Sequence, residues 1–137
     1  MSEESMTPDL VGAVTRSFEA ADRQDWDAAL RPYAPDAILE NELGIFDTAS
    51  RIRAFWEEWT GTFAAWTVKL GAVVDLGGGV VFAVYCAEGR PAGSSGVVTE
   101  RASFTFEWAD GLNAHVVVRQ DIDEACAAAE RLAEERG

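Results

Sequence analysis

The spacing of apolar residues changes period about halfway along the chain. In the first half it is helical. Leu10, Val14, Phe18 and Ala21 recur at three- and four-residue intervals, which puts them on one helix face. Thr7-Pro8-Asp9 starts that helix: Thr7 as the cap, Pro8 at the first helical position and Asp9 at the positive end of the dipole. Asp25 caps a short second helix carrying Trp26, Ala29, Leu30 and Tyr33, which Pro32 and Pro35 close. Ala37–Asn41 reads as a short strand, followed by a loop with Gly44. Asp47 or Thr48 then starts a third helix, with Ile52, Phe55, Trp56, Trp59 and Phe63 along one stripe.

From Trp66 onward the period is two. Trp66, Val68 and Leu70 alternate with Thr67 and Lys69, and Gly77-Gly78-Gly79 turns the chain into a second long strand, Val80 to Glu88. In a third, Val97 to Trp108, the residues Phe104, Phe106 and Trp108 share one face. Asp110-Gly111 is a hairpin turn, and Asn113 to Gln120 is the last strand. Asp121 and Glu124 have capping-box spacing and open a C-terminal helix. Helices first, then an antiparallel meander, then a helix predict an α+β domain over residues 7–135, with residues 1–6 disordered.

Composition narrows the function classes. A hydrophobic fraction of 48% in 137 residues is ample for a core, so no metal or disulfide staple is needed. The net charge of −13 argues against nucleic acid and anionic membranes, which are bound through clustered Lys and Arg. The acidic start lacks the apolar run of a signal peptide, and no stretch approaches the length of a membrane span. A cytoplasmic protein is expected, with Cys86 and Cys126 as unpaired small hydrophobes. One histidine and two distant cysteines do not make a metal site, and nothing calls for a cofactor.

Two ordered stretches carry a resemblance. One runs from Tyr33-Ala34-Pro35-Asp36-Ala37 through Glu40-Asn41 and Gly44 to Ile52-Arg53-Ala54-Phe55-Trp56. The other joins Phe104–Trp108, Asp110-Gly111 and Asp121 with Glu124-Ala125. Together the chain from Leu10 to about Leu132 resembles the nuclear transport factor 2-like superfamily, and within it the SnoaL-like group. The resemblance implies a cone-shaped curved sheet wrapped by three N-terminal helices, with a C-terminal helix, usually a homodimer packed through the sheet face. The superfamily includes ketosteroid isomerase, polyketide cyclases, epoxide hydrolases and non-enzymatic members, so fold does not decide function.

Carried over by position, the isomerase's catalytic groups fall at Asn41, Ser17 and about Phe104, and the cyclase's acid at about Val118; none of these residues can do that work. Glu40 is adjacent to Asn41 but on the opposite face of its strand. Asp121 and His115 remain as weak catalytic candidates. Asp121 competes with a role as helix cap. His115 shares a face with Val117 and Arg119, away from Val116 and Val118. An epoxide hydrolase-type relay would need Asp121, Arg119 and an acid such as Glu40, Glu42 or Glu100, and the spacing selects none.

Trp56, Trp59, Phe63, Phe104, Phe106 and Trp108, with Val116 and Val118, are expected to wall an apolar pocket whose polar groups are Ser17, Tyr33, Asn41 and Gln120. Three readings follow. A binder of a small apolar molecule has an open pocket without a strongly perturbed acid. A cyclase, isomerase or hydrolase has a carboxylate or His115 in the pocket beside a second polar group. A dimeric scaffold has a pocket filled by its own aromatics.

Overall fold

The computed structural model describes residues 9–137. Thr7, Pro8 and the stretch expected to be disordered, residues 1–6, lie outside the described residues. Helix α1 (Leu10–Asp22) is capped by Asp9, whose carboxylate accepts a hydrogen bond from the Gly12 amide at 2.8 Å; Asp9 is thus the cap itself, not a first-turn acid. Helix α2 (Trp26–Leu30) is capped by Asp25 and α3 (Ala49–Gly61) by Thr48. Strands β1 (Tyr33–Asn41) and β2 (Gly44–Asp47) separate these two helices. Then come β3 (Phe63–Gly77), β4 (Val80–Pro91), β5 (Val98–Ala109), β6 (Leu112–Arg119) and α4 (Ile122–Arg136).

The six strands form one mixed sheet in the order β2-β1-β6-β5-β4-β3. All neighbours are antiparallel except β1 and β6, which run parallel. The hairpin between β5 and β6 turns through Asp110 and Gly111 at φ 54° and 80°, the two positive values of a type I′ turn. The α+β architecture expected from the hydrophobic pattern is present.

Each face of the sheet has its own core. On the inner face Val14, Phe18 and Ile52 from α1 and α3 pack on Leu39, Val81, Ala83, Phe106 and Val116. On the outer face Ala125, Ala129 and Ala133 of α4 lie on Val80 and Phe82. Strand β4 records the reach of α4: Val80 to Ala83 are buried in succession, and alternation begins only beyond them. One edge of the sheet is tied to α1. The Asp22 carboxylate accepts a hydrogen bond from the amide of Val68 on β3 at 2.8 Å.

Several local expectations are corrected. Strand β1 begins at Tyr33, not Ala37, so Pro35 lies inside a strand and does not close α2. It is tolerated because the register against β6 shifts between Tyr33 and Ile38, where no ladder donor is needed. Gly44 starts β2 instead of lying in a loop. Phe63 belongs to β3, not to the stripe on α3. Cys86 points outward beyond the reach of α4 and is exposed, so it is not a packed small hydrophobe.

Candidate functional site: an aromatic cavity on the inner face

Between the three N-terminal helices and the inner face of the sheet lies a cavity of about 280 Å³. Its floor is aromatic. The Phe18 ring meets Phe104 edge-on at 5.1 Å, and Phe104 meets Tyr85 edge-on at 5.1 Å. One wall is Trp26, Trp56 and Tyr33: Trp56 lies 5.7 Å from each of the other two rings. Trp59 and Trp66, 6.2 Å apart, form the side toward β3. Four of the chain's five tryptophans therefore line one cavity.

The polar groups are few, and most are engaged. The Ser17 hydroxyl donates to the Ala29 carbonyl at 2.7 Å. Asn41 Oδ1 accepts from the amides of Leu43 and Gly44 at 2.8 and 3.1 Å, which holds the turn between β1 and β2. Glu42 accepts from the Gln120 amide at 3.3 Å. The Tyr33 side chain is buried, and burial pushes its phenol well above the ordinary tyrosine range.

The remaining polar feature is a phenol–carboxylate pair. The Tyr85 hydroxyl donates to Glu100 Oε1 across β4 and β5. Tyr85 is opposite Ala102 and Glu100 is opposite Ala87, so the two are diagonal neighbours on the inner face. Burial raises the Tyr85 pKa most. The hydrogen bond to Glu100 and the charges of Glu100 and Glu42 raise it further, so the phenol stays protonated and remains a donor.

Of the residues expected at a pocket, Ser17, Tyr33, Asn41, Trp56, Trp59, Phe104, Val118 and Gln120 line the cavity. Four do not. Phe106 and Val116 are buried behind the floor, with 2% and 0% of their surface exposed. Trp108 is buried further along β5, past a register shift between Glu107 and Trp108. Phe63 lies over Gly89, where a Cβ would come within 2.6 Å of its ring, and packs there against Trp59 and Trp66. The residues missed include Phe18, Trp26, Phe55, Trp66 and Tyr85, while Glu42 and Glu100, named only as possible relay acids, also line the cavity. Glu100 has the same strand parity as Phe104 and Phe106, so the alternation of β5 did carry a signal for it.

The catalytic candidates are outside the cavity. Asp121 caps α4, accepting from the Glu124 amide at 3.1 Å. His115 sits on the outer face between two acids, with Nδ1 2.7 Å from Glu107 and Nε2 3.0 Å from Glu40. Arg119 lies 3.6 Å from Glu40, and Arg136 lies 3.2 Å from Glu107. An Asp121–Arg119 relay therefore does not assemble in the cavity. Among the described residues no cluster of His, Cys, Asp or Glu is arranged to hold a metal ion, and no helix is long and apolar enough to cross a membrane.

Helices packed over one face of a mixed sheet, around an aromatic cavity, make the architecture of a nuclear transport factor 2-like protein. The SnoaL-like domain model matches residues 14–116, and the chain belongs to that family. Solved structures agree on the fold. A nuclear transport factor 2-like protein of unknown function from Burkholderia pseudomallei is 16% identical with a TM-score of 0.74, over 88% of this chain and 97% of that one. A polyketide cyclase, so described provisionally, from Xanthomonas campestris is 22% identical with a TM-score of 0.66, over 86% and 94%. An uncharacterised cystatin-fold protein from Novosphingobium aromaticivorans is 13% identical with a TM-score of 0.71, over 82% and 98%. No curated protein matches the chain in sequence.

Proposed function

We propose that this chain binds a small, largely apolar molecule in the aromatic cavity. The observation that supports this is an open space of about 280 Å³ walled by tryptophan, tyrosine and phenylalanine, with a handful of polar groups at its edge. Small-ligand sites have that composition, and this one is at the small end of their size range of about 300–1,000 Å³. Most of its polar groups are already bonded within the protein, so the apolar walls would supply most of the affinity. The test is native mass spectrometry of the purified protein for a retained ligand, followed by titration of candidate compounds against tryptophan emission. A ligand in the cavity would perturb Trp26, Trp56, Trp59 and Trp66 together. A panel of apolar compounds that leaves both emission and thermal stability unchanged would sink the proposal.

One observation favours a second reading, that the ligand is turned over. Glu100 projects into an apolar space beside a phenol held in its donor form, which is the arrangement of a general base with a neighbouring hydrogen-bond donor. Product analysis of a bound compound with the native protein and with Glu100→Gln would separate turnover from binding alone.

A cytoplasmic homodimer remains part of the proposal. Because α4 already covers Val80 and Phe82, pairing would use the outer strip that carries Ile38, Val117 and Cys86. Sedimentation equilibrium decides it: a monomer at high concentration excludes the dimer.

A further inference from the structure

The cavity's charge is one-sided. Its lining contains two carboxylates, Glu42 and Glu100, and no Lys, Arg or His. Glu100 Oε1 is taken by the Tyr85 hydroxyl, and its second oxygen has no hydrogen-bond partner among the described residues. Glu42 is close enough for its charge to act on Tyr85 as well. Aromatic rings add to this field, because their faces carry the negative part of the ring quadrupole and attract cations in a desolvated site. The outer face of the same sheet is different: there Glu40 and Glu107 are matched by His115, Arg119 and Arg136. Among the described residues, then, the cavity brings together two carboxylates, Glu100 half-buried in its wall and Glu42 at its exposed rim, with no cationic side chain beside them.

We infer that the cavity selects an organic cation: a tertiary or quaternary amine with a compact apolar body, its nitrogen at Glu100 and Glu42 and its body between Trp56, Trp59 and Trp66. This inference rests on the binding reading above and narrows it. A neutral ligand gains only the apolar walls. A cation gains those walls, the ring faces and a carboxylate oxygen that has no protein hydrogen-bond partner among the described residues. An anion is repelled by both carboxylates. Burial is the largest cause of the raised Tyr85 phenol and would penalise an ammonium too; the smaller part that comes from Glu100 and Glu42 is a negative field that penalises a phenolate and would reward a cation.

The test uses two probes of one shape, benzyltrimethylammonium and its neutral carbon isostere neopentylbenzene, titrated by tryptophan emission and calorimetry. The cation is expected to bind about tenfold tighter or more. That ratio should fall about fivefold in Glu100→Gln and in Glu42→Gln. Glu42 is exposed, so its variant keeps the test open should Glu100→Gln disturb folding, which thermal unfolding checks. If the neutral probe binds as tightly as the cation, the charge inference fails while the binding reading stands. If the cation preference survives in both variants, the carboxylates are not its source and the inference fails. If neither probe binds, this inference fails, and the binding reading is then decided by the wider panel of apolar compounds.

Discussion

The two faces of the sheet treat ionisable groups in opposite ways. On the outer face His115 lies between Glu40 and Glu107, and Arg119 and Arg136 close the network; α4 packs directly beside it. Each charge in that network has a partner, and none lines the cavity. On the inner face Glu100 has a phenol for company, Glu42 a backbone amide, and neither has a cation among the described residues. A residue type alone therefore says little about its role. The only histidine looks like the reactive group in the sequence, yet it lies on the outer face between two carboxylates and does not line the cavity. The chemistry that a ligand would meet belongs to a glutamate and a tyrosine on neighbouring strands.

Three measurements can break or sharpen that contrast. The largest effect is expected within the inner face itself, at the boundary between cavity wall and packed core. Phe106→Ala should cost about 3–5 kcal/mol in urea unfolding, because Phe106 is closed in on all sides. Trp59→Ala, on the half-exposed rim, should cost clearly less while weakening ligand binding. Equal losses of stability would mean that the cavity wall and the core are not distinct.

The next effect is at alkaline pH. The chain has two tyrosines, Tyr33 and Tyr85, and both line the cavity. Their folded pKa values are raised above the ordinary 10.0, Tyr33 by burial and Tyr85 by burial first and then by Glu100 and Glu42. Below pH 10 both states keep these protons and stability is unaffected. Above it the unfolded chain releases protons that the folded chain retains, so stability should fall as pH rises past 10. Absorbance near 295 nm should show tyrosinate appearing only with unfolding. Ionisation of either phenol near pH 10 in the folded protein would mean that the cavity is wetter than its geometry implies.

The smallest effect belongs to the outer side. Asp121→Ala should cost about 1 kcal/mol through loss of the α4 cap and leave ligand affinity where it was. A large loss of affinity with little loss of stability would bring Asp121 back as a site residue.

Much of the fold was legible because it follows from periodicity. The stripe on α1, the alternation on β4 and β5 and the Asp110-Gly111 turn each specify local geometry with few alternatives. Position within a face was not legible. Phe104, Phe106 and Trp108 lie along one strand, but alternation gives the side of a sheet and not the depth, so only Phe104 reaches the cavity. Nor was the irregularity in β6. There Ala114 is skipped in the pairing of β5 with β6, which turns Asn113 into the core, 1% exposed, with both side-chain polar atoms unpartnered among the described residues. The Tyr85–Glu100 pair was hidden for a third reason. It depends on the register between two strands, which neither strand's own sequence reveals.

The hydrogen bond from the Val68 amide to Asp22 has a further consequence. β3 is a long outermost strand, and such strands offer a template on which other chains can add. Here a helix side chain occupies one of the free donors, and Lys69 beside it puts a charge on the same rim. Loss of the Asp22 carboxylate would open that rim to strand addition, and the damage would appear as self-association during expression and concentration before it appeared as a lower melting temperature.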